Sequence, residues 1–153
     1  MPRQSAGLLL YRRSVHGIEV FLAHPGGPFW AKKDAGAWSI PKGEMEPGEI
    51  GLNAARREFR EEIGVDIQGM FLPLDPVRLA GGKVVQAWAV EGECDTAAVV
   101  SNTFPLEWPP RSGRIVEFPE VDRAAWFDLA EARLRISPGQ VPLLDQLESL
   151  VEK

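Results

Sequence analysis

Residues 43–65 read Gly43-Glu44-Met45-Glu46-Pro47-Gly48-Glu49-Ile50-Gly51-Leu52-Asn53-Ala54-Ala55-Arg56-Arg57-Glu58-Phe59-Arg60-Glu61-Glu62-Ile63-Gly64-Val65. Pro47 and Gly48 punctuate the start of a helix, and Glu49 brings negative charge to its first turn. Gly64 stands where a C-terminal cap glycine belongs, so the pattern predicts a helix over 49–63. At about 100° per residue, Leu52, Ala55, Phe59 and Ile63 fall on one narrow apolar stripe. Glu58, Glu61 and Glu62 lie at i, i+3 and i+4 and share a second face.

That acidic face breaks local rules. Glu58 and Glu62 are like charges four apart, which costs a few tenths of a kcal/mol. Glu61 and Glu62 sit in the last turn, where the helix dipole prefers cations. Glu62 also lies about 20° from Ala55 on the wheel, at the edge of the buried stripe. A carboxylate there loses hydration unless something compensates it. The plain alternative is a solvated Glu/Arg helix with Arg57–Glu61 as a surface pair. Three coincident violations favour function, because such rules are broken mostly at functional sites. A divalent cation would relieve all three. Clustered oxygens suit Mg²⁺, which keeps several waters and also takes phosphate oxygens.

Outward from this helix, residues 5–12 predict a buried strand and 18–24 its neighbour, with a turn near His16-Gly17. Residues 25–37 are rich in Pro, Gly, Lys and Ala and predict a loop. Trp38-Ser39-Ile40 predicts a short strand entering a turn at Pro41-Lys42-Gly43. Residues 69–80 and 83–91 predict a strand pair around Gly81-Gly82. Residues 101–114 predict a second long, Pro-containing loop. Arg123–Leu129 predicts a strand running into a helix. Residues 138–152 predict a final helix with Val141, Leu144, Leu147 and Val151 on one face. Strands and helices mix without strict alternation, which implies an α/β fold with a mixed sheet and helices packed on it.

The chain has 153 residues, 44% hydrophobic and 25% charged, which suits one globular domain over 1–153. No apolar run approaches the roughly 18 residues of a membrane span. Gly7-Leu8-Leu9-Leu10 is too short for a secretory core. With one cysteine, Cys94, the expected compartment is the cytoplasm. A net charge of −5 argues against bulk nucleic-acid binding but not against a small phosphorylated ligand.

Gly43, five residues, Glu49, seven residues, then Arg57-Glu58-Phe59-Arg60-Glu61-Glu62-Ile63-Gly64-Val65 resembles the Nudix box. All seven fixed identities stand at the right spacing. From average residue usage a chance match is on the order of one in ten million, so the motif is specific. Phe59 departs softly, where the family usually has an aliphatic residue. The resemblance implies an α/β/α sandwich with a mixed sheet, and the box as a loop–helix–loop. It implies Mg²⁺-dependent, or Mn²⁺-dependent, hydrolysis of a phosphoanhydride in a nucleoside diphosphate linked to another moiety. By matching position, Glu58, Glu61 and Glu62 correspond to metal-binding carboxylates, and Arg57 to the residue that orients them by ion pairing. Glu49 corresponds to a further acidic residue near the metal and the Gly43 carbonyl to a backbone ligand. Gly43 and Gly64 correspond to turns where a side chain would intrude. Family members differ in which glutamate is the general base.

Many enzymes that share this box add an acidic ligand from outside it, shortly before a strand that carries an aromatic. Glu117 and Glu120 precede Trp126, and Glu120 has the better spacing. Lys32, Lys33 and Lys42 flank the box and can meet phosphates as point charges, as can Arg111 and Arg114. Trp30 and Trp108 lie in loops and can stack on a base. Trp38, Trp88 and Trp126 are expected in the core, and His16 and His24 as structural. The 101–114 segment is expected to select the substrate. Dinucleoside polyphosphates and nucleoside triphosphates rank above diphosphoinositol polyphosphates, which want a more basic site. The rival classes are a nucleotide sensor without chemistry and an RNA-cap hydrolase. An intact glutamate set argues against the first. The second wants a basic or aromatic RNA track that the sequence does not display.

Overall fold

The computed structural model describes residues 3–151. Strands β1 (Gln4–Ser14) and β2 (Gly17–Pro25) form an antiparallel hairpin, with Tyr11 opposite Val20. β6 (Val84–Glu91) runs parallel to β1, and β9 (Val121–Asp128) runs antiparallel to β2. β4 (Leu72–Pro73), β6, β1, β2 and β9 lie in that order in one mixed sheet. β3 (Lys42–Glu44) adds to β1 and β5 (Val77–Arg78) to β6.

Alternation along the central strands feeds two cores. Ala6, Leu8, Leu10, Phe21 and Ala23 face α1 (Gly51–Ile63), where they meet Ala54, Ala55, Phe59 and Ile63. Leu9, Tyr11, Val20 and Leu22 face the other way, toward α2 (Leu129–Arg135) and α3 (Val141–Val151). The sheet is therefore sandwiched between helices, as the sequence leads one to expect. Phe59 is fully buried. At this position an aromatic ring is core filling, worth about 2–3 kcal/mol of burial.

Several boundaries differ from the expectations. α1 begins at Gly51, with Ile50 as an uncapped N-cap, so Glu49 precedes the helix instead of entering its first turn. Lys42-Gly43 is strand, not turn, because the segment pairs with Ala6 and Gly7 of β1. Of residues 69–80, only β4 and β5 pair with β6; Pro73 and Pro76 interrupt a longer ladder. Trp38 and Ser39 make isolated bridges, to Ile136 and Ala23. Residues 101–114 are not a plain loop. β7 (Thr103–Glu107) pairs with β8 (Ile115–Pro119) in a separate two-stranded hairpin. The final helix is a 3-10 turn at Pro138–Gln140 followed by α3; residue 152 of the expected helix lies outside the described residues. No helix among the described residues is long and apolar enough to cross a membrane.

Candidate active site

α1 ends cleanly because Gly64 adopts φ 86°, a left-handed cap, and its N–H donates to the Arg60 carbonyl. The last two turns present Arg57, Glu58, Glu61 and Glu62. Arg57 uses all five of its N–H groups. Nε and Nη2 donate to the two oxygens of Glu49, at 2.8 and 3.1 Å. Nη1 donates to Glu58 (3.2 Å) and Glu61 (2.9 Å), and Nη2 also donates to the Glu44 carbonyl (3.1 Å). The forked guanidinium suits this demand where an ammonium would not. The Arg57 bond, with a second from the Glu46 N–H, holds the Glu49 carboxyl down at about 2. Glu49 is thus committed to fixing Arg57.

The other carboxylates are less well compensated. Glu58 is buried and lies directly over Gly43, whose missing side chain makes the room: a Cβ there would overlap the Glu58 carboxyl. The glycine is required by this close approach, not by a turn. Burial pushes the Glu58 carboxyl up against the opposing pull of Arg57. Glu62 is pushed up to about 8, by burial first and then by Glu58 and Glu120. The Lys42 N–H donates to it at 3.3 Å. Glu120 is raised by burial and by Glu61. Ala23, Pro25, Ile40, Lys42, Glu62 and Glu120 line a pocket of about 150 Å³. Burial lowers the Lys42 ammonium, and Lys83 lowers it further, while Glu62 and Glu58 support its charge.

The structure therefore brings together Glu58, Glu61, Glu62, Glu120 and Lys42. Glu117 is exposed on β8, away from this group. Trp108 and Arg111 stand at the far end of the β7–β8 hairpin, beyond the Glu107–Ile115 pair. The Trp108 ring meets Phe29 edge-on at 5.5 Å, and Phe29 is 60% exposed. Trp30 is exposed beside them, with the Lys33 Nζ 5.1 Å from its ring. Arg114 and Lys32 are exposed. Trp38 is core, Trp88 and Trp126 pack partly against the α1 side, and His24 is buried between Asp122 and the Lys33 carbonyl. His16 is exposed in the β1–β2 turn.

Sequence reasoning missed the segment Val100–Asn102. The Val100 and Asn102 N–H groups donate to the carbonyls of Ile63 and Glu61, and the Asn102 carbonyl accepts from the Glu120 N–H. These are backbone bonds and carry no residue signature.

The NUDIX domain family model matches residues 1–147. A bis(5'-nucleosyl)-tetraphosphatase (asymmetrical) of Sus scrofa is 32% identical over 103 residues, 60% of this chain and 66% of the pig protein. An RNA pyrophosphohydrolase of Erythrobacter litoralis (strain HTCC2594) is 43% identical over 63 residues, 41% of this chain. The chain spans only 66% and 34% of the length of these two relatives. An Ap4A hydrolase of C. elegans, solved in a binary complex, has the same fold: the TM-score is 0.67 at 21% identity, covering 97% of this chain and 98% of that one. With a family model running through nearly the whole sheet and all of the carboxylate face, the chain belongs to the NUDIX domain family.

Proposed function

We propose that the chain hydrolyses a phosphoanhydride bond in a nucleoside diphosphate linked to another moiety, with Mg²⁺ or Mn²⁺ as cofactor. The carrying observation is the incompletely compensated set Glu58, Glu62 and Glu120, each with its carboxyl raised by burial, with Glu62 and Glu120 lining the Lys42 pocket and Glu58 one helical turn from Glu62. Buried carboxylates facing one another want a cation. Arg57 answers Glu49 and Glu61 well and Glu58 in part, but makes no bond to Glu62 or Glu120. Among the described residues no three His, Cys, Asp or Glu side chains are arranged to hold a metal ion as they stand, so binding would require these carboxylates to turn toward it.

Glu58, Glu61, Glu62, Glu120 and the Gly43 carbonyl would hold the metal. When bound, it neutralises pyrophosphate charge, orients the phosphates and acidifies water. Arg57 fixes the rotamers of Glu58 and Glu61, anchored in turn by Glu49. A carboxylate of the set takes the proton of the attacking water as its oxygen bonds to phosphorus and the anhydride oxygen leaves. Glu58 and Glu61, both held by Arg57, are the two candidates for that base. Lys42 meets the departing phosphate charge.

Trp108 and Arg111 would receive the distal moiety. β7 runs about 15 Å along the chain between Asn102, bonded to the Glu61 carbonyl, and Trp108, so the hairpin tip offers a second contact region for a long ligand. That favours a dinucleoside polyphosphate over a nucleoside triphosphate. The test is a Mg²⁺-supplemented panel: a dinucleoside tetraphosphate, a nucleoside triphosphate, a 5'-triphosphorylated RNA and a diphosphoinositol polyphosphate. The expected order of kcat/KM puts the first highest. Tight nucleotide binding with no cleavage of any member would instead support a sensor.

A further inference from the structure

Of the carboxylates Glu58, Glu61, Glu62 and Glu120, the first three are fixed to one another by α1. Glu120 arrives from a segment far away in sequence, and the chain must hold it to the helix by other means. Residues 100–102 form the splint. On one side the Val100 N–H donates to the Ile63 carbonyl (2.9 Å) and the Asn102 N–H to the Glu61 carbonyl (2.7 Å). Both carbonyls belong to the last turn of α1, where no intrahelical donor remains. On the other side the Glu120 N–H donates to the Asn102 carbonyl (2.8 Å). The next amide, Val121 N–H, donates to Ser101 Oγ (3.0 Å), and that hydroxyl donates to the same Asn102 carbonyl (2.7 Å).

Two successive amides, at Glu120 and Val121, are thus pinned by a single two-residue step. Ser101 supplies the one side chain in this latch. Val121 is 5% exposed, so its N–H has little access to replacement water. We propose that Ser101 is a positioning residue: its hydroxyl sets Glu120 against the carboxylates of α1. The proposal rests on the reading of Glu120 as part of the cation-binding set. Removing the hydroxyl leaves a buried donor unpaired and frees the start of β9 to shift. A small displacement of Glu120 then degrades a site that depends on placement.

The test is a double-mutant cycle of Ser101→Ala with Glu120→Gln, read by Mn²⁺ affinity in calorimetry and separately by turnover. With Glu120 present, Ser101→Ala should weaken Mn²⁺ binding and lower kcat by about tenfold, the size of one lost hydrogen bond, with KM little changed. In the Glu120→Gln background the same substitution should change neither. Ser101→Thr, which keeps the hydroxyl, should restore both. If Ser101→Ala fails to fold, Ser101→Cys carries the same cycle, because a thiol is a poor acceptor. Equal losses in both backgrounds would overturn the proposal, as would no loss, a silent Glu120→Gln, or wild-type protein that binds no Mn²⁺. Wild-type protein that binds Mn²⁺ but cleaves no nucleotide would end the hydrolase reading alone, and the Mn²⁺ arm would still decide on Ser101.

Discussion

Glu62 concentrates the conflict between stability and chemistry. It occupies the last turn of α1, where the dipole disfavours an anion, it has Glu58 one turn before it on the same helix, and it shares a small pocket with Glu120. The unfolded chain releases this proton near 4.5 and the folded chain only near 8, so between those pH values the folded state binds the extra proton. The stabilisation is complete below the lower value and lost as pH rises through the upper one. The melting temperature of metal-free wild-type protein should therefore fall between pH 5 and 8, by about 10 °C. Glu62→Gln should flatten that fall while lowering kcat at least about a hundredfold. A variant with unchanged turnover would remove Glu62 from the mechanism, and one that fails to fold would make it structural. Gly43→Ala probes the neighbouring contact. The new methyl cannot share space with the Glu58 carboxyl. Turnover should drop more than tenfold while β3 still pairs, since an alanine fits a strand and the chemistry depends on sub-ångström placement. Wild-type kcat in that variant would show that Glu58 moves aside without consequence.

At the level of elements, the β7–β8 hairpin sits apart from the main sheet and carries Trp108 against Phe29. If it receives the distal base, Trp108→Ala should raise KM for a dinucleoside polyphosphate about tenfold and leave kcat nearly unchanged, because one base stack is lost equally from ground and transition states. A fall in kcat at constant KM would place Trp108 in the chemistry instead. The long elements were readable: β1 as a continuous apolar run, β2 by its partial alternation, and α1 and α3 by a helical period with a clear apolar face. The sequence hid this hairpin because Pro105, Pro109 and Pro110 read as loop. The alternation was nonetheless present, with Phe104, Leu106, Val116 and Phe118 half-buried between exposed neighbours. The acidic face of α1 was legible from spacing alone. The full engagement of Arg57 was not, since only the folded loop brings Glu49 and the Glu44 carbonyl within its reach. Glu120 could be ranked over Glu117 only by distance along the chain. The latch at 100–102 left no trace, being almost entirely backbone.

For the whole molecule, one sheet divides two cores, and the carboxylate set lies at the edge of the α1 side. A cation bound there interacts with the folded chain and not with the unfolded one. Saturating Mg²⁺ or Mn²⁺ should therefore raise the melting temperature with occupancy, and a hundredfold excess over Kd corresponds to about 2.7 kcal/mol. Excess EDTA should abolish turnover and reverse the shift. Full activity in EDTA would sink the metal requirement. The hairpin has a further consequence at this scale. The chain leaves at Asn102 and returns at Glu120, and the two ends are clasped by a 2.8 Å bond. Everything from 103 to 119 is thus an excursion from a closed base. Lengthening or replacing such an excursion changes the closure entropy only slowly. On the function proposed above, the carboxylates and the hairpin are separable parts, and a different excursion on the same clasp would change what is gripped while leaving the carboxylates in place.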